Sequence, residues 1–335
     1  MHWLSAPLAA LAPIVTIGAL ALPPASFRGP AGPVADTILL PAVFRENRIY
    51  VRPVTPRGDT LVFYTDTGGG VNMLFEPVAE RLGLPRKRVP GPRDSVTIVD
   101  WPLMAEDAAI PLPAVEGPFG PGLWLRPFDG EMASLLEDSD AGFLGRHWFA
   151  DRVWTFDYPA GRLVLRPAGN LPPHRADQRV ELGFATDSTG ARTTHFPRIR
   201  ALVDGDTLDF LFDTGATMVL TDSALARIGD GRPARRAASF ISATVFDRWR
   251  QAHPEWRVLE RATGFGADII EVPAVDLAGR RVGPVWFEKR KAGVFEEWMS
   301  RMMDRPIVGA LGGNALGFFR VTVDYANAVA IFERP

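Results

Sequence analysis

The chain has 335 residues, 47% of them hydrophobic, and its 37 basic and 39 acidic side chains give a formal net charge of −2. This length suits two domains of ordinary size or one large domain, and the absence of a basic stripe argues against nucleic acid as a partner. The chain contains no cysteine, which excludes disulfides, thiolate metal sites and a cysteine nucleophile.

The N-terminal region has the composition of an export signal. Residues 6–22 are apolar and uncharged, and they are followed by a Pro/Gly-rich stretch. The run is short and broken by proline, and Ala19-Leu20-Ala21 fits a small-residue cleavage pattern. We therefore predict a signal peptide over residues 1–26 and an exported protein, periplasmic or secreted. An uncleaved N-terminal anchor is the alternative, and it is the one membrane contact that we expect.

An eleven-residue phrase occurs twice. GDTLVFYTDTG at 58–68 and GDTLDFLFDTG at 205–215 share eight identical positions at an offset of 147. From background composition, a match of this quality has a chance frequency on the order of 10⁻³ over the chain. Apolar residues alternate along both copies, which predicts a strand that carries Asp-Thr-Gly at its end.

A strand and a helix are predicted after each copy. Residues 71–84 resemble residues 217–230, with one extra residue in the first copy. Both segments carry helix start and stop signals. These signals are Pro77 in the first helix, Thr221 or Asp222 before the second, and Gly83 and Gly229 as stops.

A third repeated segment closes each half. Residues 142–165 align without gaps to residues 309–332 at an offset of 167. Each reads as an apolar strand that ends in Leu-Gly, a short turn, and a hairpin. Because the offset has grown by about twenty, the second half contains additional residues. We place them in 242–262, which looks helical but is interrupted at Pro254.

The halves meet in a Pro-rich polar stretch at 166–178, as expected of a linker. We predict an all-β protein with a few short helices. It consists of two similar lobes, residues 27–168 and 169–335, with a cleft between them.

These motifs resemble those of the aspartic peptidases, of the bilobal pepsin-like or the duplicated retropepsin-like kind. The resemblance covers nearly the whole chain after about residue 36 and rests on both Asp-Thr-Gly triplets and the two downstream apolar-Gly strands. It implies that Asp66 and Asp213 form a catalytic dyad. It implies further supporting residues in each lobe, namely Thr67, Gly68, Thr214 and Gly215 in the loops, and Leu144, Gly145, Leu311 and Gly312 in the strands beneath them.

The chemistry explains why two copies are needed. Two carboxylates about 3 Å apart cannot both ionise comfortably, so they share one proton. The ionised partner then activates a water while the protonated partner hydrogen-bonds the substrate carbonyl. In the family, the threonines exchange hydrogen bonds across the lobe junction, and the glycines let backbone N–H groups reach the carboxylates.

The residue after each triplet departs from the family pattern, which usually has Ser, Thr or Ala there. Gly69 and Ala216 occupy these positions and offer no hydroxyl to the dyad. We expect an activity optimum less acidic than that of pepsin, at roughly pH 4–6. Alternatively, the Gly69-Gly70 pair loosens the first loop and damages that half of the site.

Each lobe of such a protein needs a hairpin over the cleft. In the first lobe we assign this flap to residues 95–103, with Trp101 in place of the tyrosine that is typical of the pepsin flap. In the second lobe we assign it to residues 262–287, with Gly264-Phe265-Gly266 at the tip. A core tryptophan and a structural glycine turn are the alternative interpretations.

Other chemistries find little support in the sequence. The histidines lie far apart along the chain, at 2, 147, 174, 195 and 253, without the spacing of metal ligands. We expect surface or capping roles for them. No phosphate-binding loop, dinucleotide fingerprint or serine-nucleophile motif occurs. We therefore expect no metal and no cofactor.

The leading hypothesis is an aspartic endopeptidase that acts on extended polypeptide in the cleft. A monomer is expected, because one chain carries both lobes. The alternatives are a processing peptidase of narrow specificity and a peptide-binding or scaffold protein of the same fold without activity.

Overall fold

The computed structural model describes residues 36–136 and 138–334, so the predicted signal peptide lies outside the described residues. The strands of the first half are β1 (Ile38–Leu39), β2 (Ala42–Arg45), β3 (Arg48–Val51), β4 (Phe63–Thr65), β5 (Met73–Phe75), β6 (Arg86–Pro90), β7 (Ser95–Val99), β8 (Leu123–Arg126), β9 (Gly142–Leu144), β10 (Val153–Asp157) and β11 (Arg162–Arg166). Those of the second half are β12 (Arg179–Glu181), β13 (Arg198–Val203), β14 (Asp206–Phe212), β15 (Thr217–Val219), β16 (Arg235–Ala237), β17 (Ser239–Ser242), β18 (Val258–Leu259), β19 (Ile269–Val272), β20 (Val275–Leu277), β21 (Arg280–Val282), β22 (Val285–Arg290), β23 (Gly309–Leu311), β24 (Arg320–Asp324) and β25 (Val329–Glu333).

The helices are short. They are α1 (Glu76–Leu82), α2 (Gly130–Leu135), α3 (Arg146–Phe149), α4 (Asp222–Ile228), α5 (Ala243–Ala252) and α6 (Gly313–Leu316). Three 3-10 turns lie at Glu106–Ala108, Ala176–Gln178 and Met299–Met302, and a π-helical turn lies at Val294–Trp298. Among the residues that the structure describes, no helix has the length and apolar character needed to cross a membrane.

Two large sheets form two β-rich lobes, as predicted. The first lobe is built on eight strands in the order β2-β3-β4-β9-β5-β8-β7-β6. The second lobe is built on nine, in the order β18-β19-β22-β17-β23-β14-β13-β20-β21. In each lobe, the strand that carries Asp-Thr-Gly runs parallel to the strand that ends in Leu-Gly: β4 beside β9, and β14 beside β23. The two copies of the sequence repeat thus occupy equivalent places.

A third sheet joins the lobes. Its order is β1-β11-β10-β24-β25-β12, so each half contributes three strands and β10 meets β24 at the centre. The expected boundary at 168/169 falls between β11 and β12. One hydrophobic core runs through both halves, and its members include Trp148 and Trp154 of the first half and Phe212 and Tyr325 of the second.

The helix signals of the sequence act as predicted. Pro77 lies in the first turn of α1, and Gly83 ends the helix in the left-handed conformation with φ 65°. The Thr221 hydroxyl accepts the Ala224 N–H at the start of α4, at 3.2 Å. Helix α5 ends at Ala252, before Pro254. Local start and stop chemistry therefore sets these boundaries.

One repeat assignment is wrong. β15 and α4 look like β5 and α1 in sequence, but β15 pairs with β16 in a separate two-stranded sheet. The true counterpart of β5 is β17, because β17 runs antiparallel to β23 as β5 does to β9. The additional residues therefore lie at 217–237 and not in 242–262. A strand-then-helix pattern with caps is local, whereas the choice of strand partner depends on the whole sheet.

The centre of the joining sheet yields a test of how the lobes are held. Thr155 and Thr322 are paired in the β10–β24 ladder, both are buried, and their hydroxyls hydrogen-bond at 2.8 Å. We expect Thr155→Val to lower the free energy of unfolding by about 1–2 kcal/mol, because the Thr322 hydroxyl is left buried without its partner. The double variant with Thr322→Val should lose less than the sum of the two single changes. Urea unfolding of the four proteins measures this, and simple additivity would contradict it.

Candidate active site

The two Asp-Thr-Gly loops are held from below by the Leu-Gly strands. The Asp66 N–H donates to the Leu144 carbonyl at 2.9 Å, and the Asp213 N–H donates to the Leu311 carbonyl at 3.0 Å. The structure therefore places the predicted supporting strands in direct contact with the predicted loops, in the same way in each lobe.

Two further polar residues, missed by sequence reasoning, fasten these strands. The Gly145 N–H donates to the Asn72 side-chain carbonyl at 2.9 Å. In the second lobe, the Gly312 N–H donates to the Ser239 hydroxyl at 3.1 Å. Asn72 and Ser239 are equivalent positions at the 167-residue offset. The sequence comparison does not show this equivalence, because it places the additional residues of the second half after Ser239 and not before it. A buried polar side chain at the start of each strand was the available signal.

The threonines of the two loops cross the lobe junction. The Thr67 N–H donates to the Thr214 hydroxyl at 3.2 Å, and the Thr214 N–H donates to the Thr67 hydroxyl at 3.0 Å. The Thr67 hydroxyl in turn donates to the Phe212 carbonyl at 2.7 Å. Both threonine side chains are fully buried. This reciprocal exchange fixes the two loops relative to each other.

The carboxyl groups of Asp66 and Asp213 hydrogen-bond to each other. Each also accepts a backbone N–H from its own loop: Gly68 donates to Asp66 at 2.7 Å, and Gly215 donates to Asp213 at 3.1 Å. The dyad is thus assembled within hydrogen-bonding reach, with each carboxyl oriented by its own backbone.

The loop glycines are required for a reason that sequence reasoning did not give. Neither Gly68 nor Gly215 has a positive φ. A Cβ on Gly68 would lie 2.6–2.8 Å from the Asp213 carboxyl, and one on Gly215 would lie 2.1 Å from the Asp66 carboxyl carbon. These positions exclude any side chain because the carboxyl of the opposite lobe occupies the space.

Burial sets the protonation of the pair. Burial and the nearby Asp213 charge raise the pKa of the Asp66 carboxyl well above its usual range. Burial also raises the pKa of Asp213, an effect offset in part by hydrogen bonds from Asp66 and Gly215 and by the Arg290 charge. Because the two groups titrate as a unit, the folded protein favours one shared proton.

The ring of Phe143 packs directly against Gly69, so this glycine leaves no empty space in the first loop. A Cβ there would lie 2.2 Å from the tip of the Phe143 ring and 3.1 Å from an Asp66 carboxyl oxygen. Phe143 is 5% exposed and packs against Tyr64 with ring centroids 6.0 Å apart. A phenyl ring therefore fills the space where the family pattern would place a side chain beside the dyad.

The Gly-rich loop is anchored from α3. The Arg146 guanidinium donates to the carbonyls of Gly69 and Gly70, and its carbon lies 4.3 Å from the centre of the Phe196 ring of the second half. These contacts give the glycine pair a fixed conformation.

The expected surface or capping role of the histidines is wrong for His147. It is 8% exposed, and its ring lies 5.8 Å from that of His195. Burial, Arg146 and His195 lower the pKa of His147 to about 3, so it is neutral. Distance along the chain was misleading, because the tertiary fold brings α3 against the second half. Among the described residues, no cluster of three potential metal ligands occurs.

A buried arginine bridges the lobes beside the dyad. Arg48 is 1% exposed and donates from Nε to the Thr217 hydroxyl at 3.0 Å and from Nη2 to the Leu135 carbonyl at 2.8 Å. Its guanidinium lies over the Tyr64 ring, 4.8 Å from the centroid. The Tyr64 hydroxyl donates to the Gly215 carbonyl at 2.7 Å. Sequence reasoning missed Arg48, since arginine is usually a surface residue.

The first predicted flap is wrong in its position. The hairpin of this region consists of β6 and β7 with a turn at 91–94, so residues 95–103 supply only its second strand. Trp101 lies beyond that strand. It packs against the main core, and its indole N–H donates to the Pro121 carbonyl at 2.9 Å. Trp101 therefore lies outside the hairpin and does not take the place of a flap tyrosine, because the turn forms at the Gly-Pro pair that precedes β7.

The second predicted flap tip does lie at a turn. Gly264, Phe265 and Gly266 form the tip between β18 and β19, with the Gly266 N–H donating to the Thr263 carbonyl at 2.8 Å. Phe265 is 43% exposed. The Gly264 N–H, however, is already bonded to the Val219 carbonyl at 2.8 Å.

Comparisons with known proteins add little to this geometry. No protein-family model matches the chain, and no curated protein matches it. Many solved structures resemble the chain, and two of them do so over most of their length. Conglutin gamma, a basic 7S globulin from lupine seeds, has a TM-score of 0.48 and 11% identity over 90% of this chain and 95% of that one. An aspartic proteinase from Irpex lacteus has a TM-score of 0.48 and 10% identity over 89% of this chain and 97% of that one. These similarities assign the chain to no family.

The packing of Phe143 makes the first loop intolerant of a side chain. We expect Gly69→Ala to destabilise the protein by about 1–3 kcal/mol, because the buried ring cannot move aside. Gly70→Ala is the matched control and should change stability by less than about 0.5 kcal/mol. At that position the nearest atom to a Cβ is Arg146 Nη1 at 3.8 Å.

Chemical denaturation measures both changes. In a Phe143→Ala background the cost of Gly69→Ala should nearly vanish. An equal cost in both backgrounds would show that loop conformation, and not the ring, excludes the side chain.

The raised pKa values also predict a stability effect. A carboxyl whose pKa rises on folding binds its proton more tightly in the folded state, so stability falls as pH rises from about 4 toward the raised value. Asp213→Asn removes this loss. We expect its Tm to exceed that of the wild type by about 2 °C or more at pH 7 and to equal it near pH 3. Thermal unfolding at both pH values tests this, and a lower Tm at pH 7 would contradict it.

Proposed function

We propose that the protein is an aspartic peptidase that hydrolyses peptide bonds of extended polypeptides. The observation that carries the proposal is the hydrogen-bonded pair of Asp66 and Asp213 carboxyls, contributed by two equivalent loops. A protein that only binds peptide has no need of a second carboxylate beside the first, since bringing two such groups together costs free energy.

The proposed mechanism uses the shared proton. A water between the two carboxyls loses a proton to the ionised aspartate as it attacks the peptide carbonyl. The protonated aspartate hydrogen-bonds the carbonyl oxygen and stabilises the negative charge that develops there. The proton then passes to the leaving amine. The fixed N–H donors of Gly68 and Gly215 keep both carboxyls oriented throughout.

The surroundings of the first loop support catalysis over a non-catalytic scaffold. A loosened Gly69-Gly70 loop would damage the first half of the site, but Phe143 and Arg146 both hold that loop in place. Export, a monomeric state and the absence of a cofactor remain predictions from the sequence.

Hydrolysis of a peptide library across pH tests the proposal. We expect dyad-dependent cleavage with a maximum at roughly pH 4–6, because burial raises the pKa values of the pair. Asp213→Asn should lower kcat/KM by at least about 10³-fold while leaving the fold intact. Mass spectrometry of the products gives the rates. Equal cleavage by wild type and variant would contradict the proposed role of Asp66 and Asp213 as a catalytic dyad. A maximum below about pH 3 would contradict the raised pKa values.

A further inference from the structure

The second lobe carries a segment that the first lobe lacks. Residues 217–237, here called the inserted hairpin, comprise β15, α4 and β16. The hairpin leaves and rejoins the lobe at one point, where the Ala238 N–H donates to the Ala216 carbonyl at 2.9 Å. In the first lobe, the chain passes directly from the Gly-rich loop to Asn72. The inserted hairpin thus begins four residues after Asp213.

Strand β15 lies between the two lobes. Thr217 and Val219 face the first lobe: the Thr217 hydroxyl bonds to Arg48 and to Tyr64, and Val219 packs against the cluster that contains Tyr64 and Phe143. The alternate side chains face the second lobe, where Met218 and Leu220 are buried in a cluster with Phe240 and Ala310. A strand whose two faces contact opposite lobes fills the space between them.

The backbone of β15 is paired as that of a bound extended peptide would be. The Gly264 N–H at the hairpin tip between β18 and β19 donates to the Val219 carbonyl at 2.8 Å, and Leu220 forms a bridge with Thr263. That hairpin is the second-lobe counterpart of β6–β7, because both lie at the same end of their sheets. Main-chain bonds of this kind are how an exposed strand edge captures an extended chain.

The rest of the inserted hairpin is fastened to the first lobe. The Ala237 N–H donates to the Glu46 carbonyl at 3.0 Å, and Arg232 forms an ion pair with the Glu46 carboxylate at 2.7 Å. Arg235 donates to the Ser134 carbonyl at 2.7 Å. Contacts on both lobes make the hairpin a built-in part of the cleft and not a loosely attached loop.

We propose that the inserted hairpin permanently occupies the part of the cleft next to Asp213, so that productive substrates are peptides whose chain ends close to the scissile bond on that side. This inference rests on the proposed peptidase function. Thr217 Oγ1 lies 3.1 Å from the Gly215 carbonyl, and Gly215 touches the Asp66 carboxyl. The inserted hairpin therefore begins directly beside the dyad, and we expect room for only about two extended substrate residues on that side.

The wild-type protein tests the proposal through substrate length. A series of fluorogenic peptides keeps one scissile bond and is lengthened one residue at a time, in one set toward the amino end and in another toward the carboxyl end. We expect kcat/KM to fall at least tenfold beyond about two residues in one direction only. The direction identifies which chain end the site accepts. Equal rates for long extensions in both directions would overturn the proposal while leaving the peptidase function intact.

A shortened variant tests the cause. Thr217 and Ala237 are partners in the β15–β16 ladder, so residues 218–236 can be replaced by an Asn-Gly turn. Thr217 and its bond to Arg48 are kept. This variant should cleave long peptides internally with little dependence on either end. Retention of the one-sided length limit would show that the inserted hairpin does not cause it.

A binding measurement separates the two proposals if no peptide is hydrolysed. Fluorescence anisotropy with labelled long peptides compares Asp213→Asn in the full chain with the same change in the shortened variant. Stronger binding to the shortened variant by at least tenfold would support occupation of the cleft, even if the peptidase proposal fails. Equal affinity for both proteins would overturn the inference.

Discussion

Two carboxyls in hydrogen-bonding contact at the lobe junction constrain the rest of this structure. When both are ionised, the Asp66 and Asp213 carboxylates repel each other. The surrounding backbone must therefore hold both side chains in place so that they can share a proton. The reciprocal bonds of Thr67 and Thr214 provide that rigidity across the lobe junction. In the sheet that joins the lobes, the hydroxyl of Thr155 hydrogen-bonds to that of Thr322, the equivalent residue of the second half. The same hydrogen bonds therefore set both the relative position of the lobes and the geometry of the dyad.

The duplication has preserved the loops but not their surroundings. In the first lobe, Phe143 fills the space beside Gly69, whereas the corresponding residue of the second lobe is Ala310. In the second lobe, the inserted hairpin packs in the cluster that contains Ala310, and Arg48 of the first lobe donates a hydrogen bond to Thr217 of that hairpin. Two equivalent carboxylates thus lie in unequal environments, as the proposed peptidase mechanism requires for distinct acid and base roles.

Local signals predicted the parts of the fold that depend on neighbours in sequence. The repeat at Asp66 and Asp213 predicted both loops because Asp-Thr-Gly after an alternating apolar strand has the same local meaning in each copy. Helix ends such as Gly83 followed from backbone preference alone. The errors share one cause. Neither the sequence around Trp101 nor the strand-helix pattern of 217–230 says which strand will be its partner, so the flap and the repeat equivalence are both misplaced.

By itself, the sequence determined that this protein has two similar β-rich lobes and a pair of loops bearing Asp66 and Asp213, because repetition and residue preference are readable one segment at a time. Only the tertiary structure decided that Phe143 fills the space beside Gly69, that Arg48 and His147 are buried, and that β15 lies between the lobes. These facts arise from contacts between residues far apart in the chain. Such contacts are selected by the packing of the whole molecule and leave no periodic trace in the sequence.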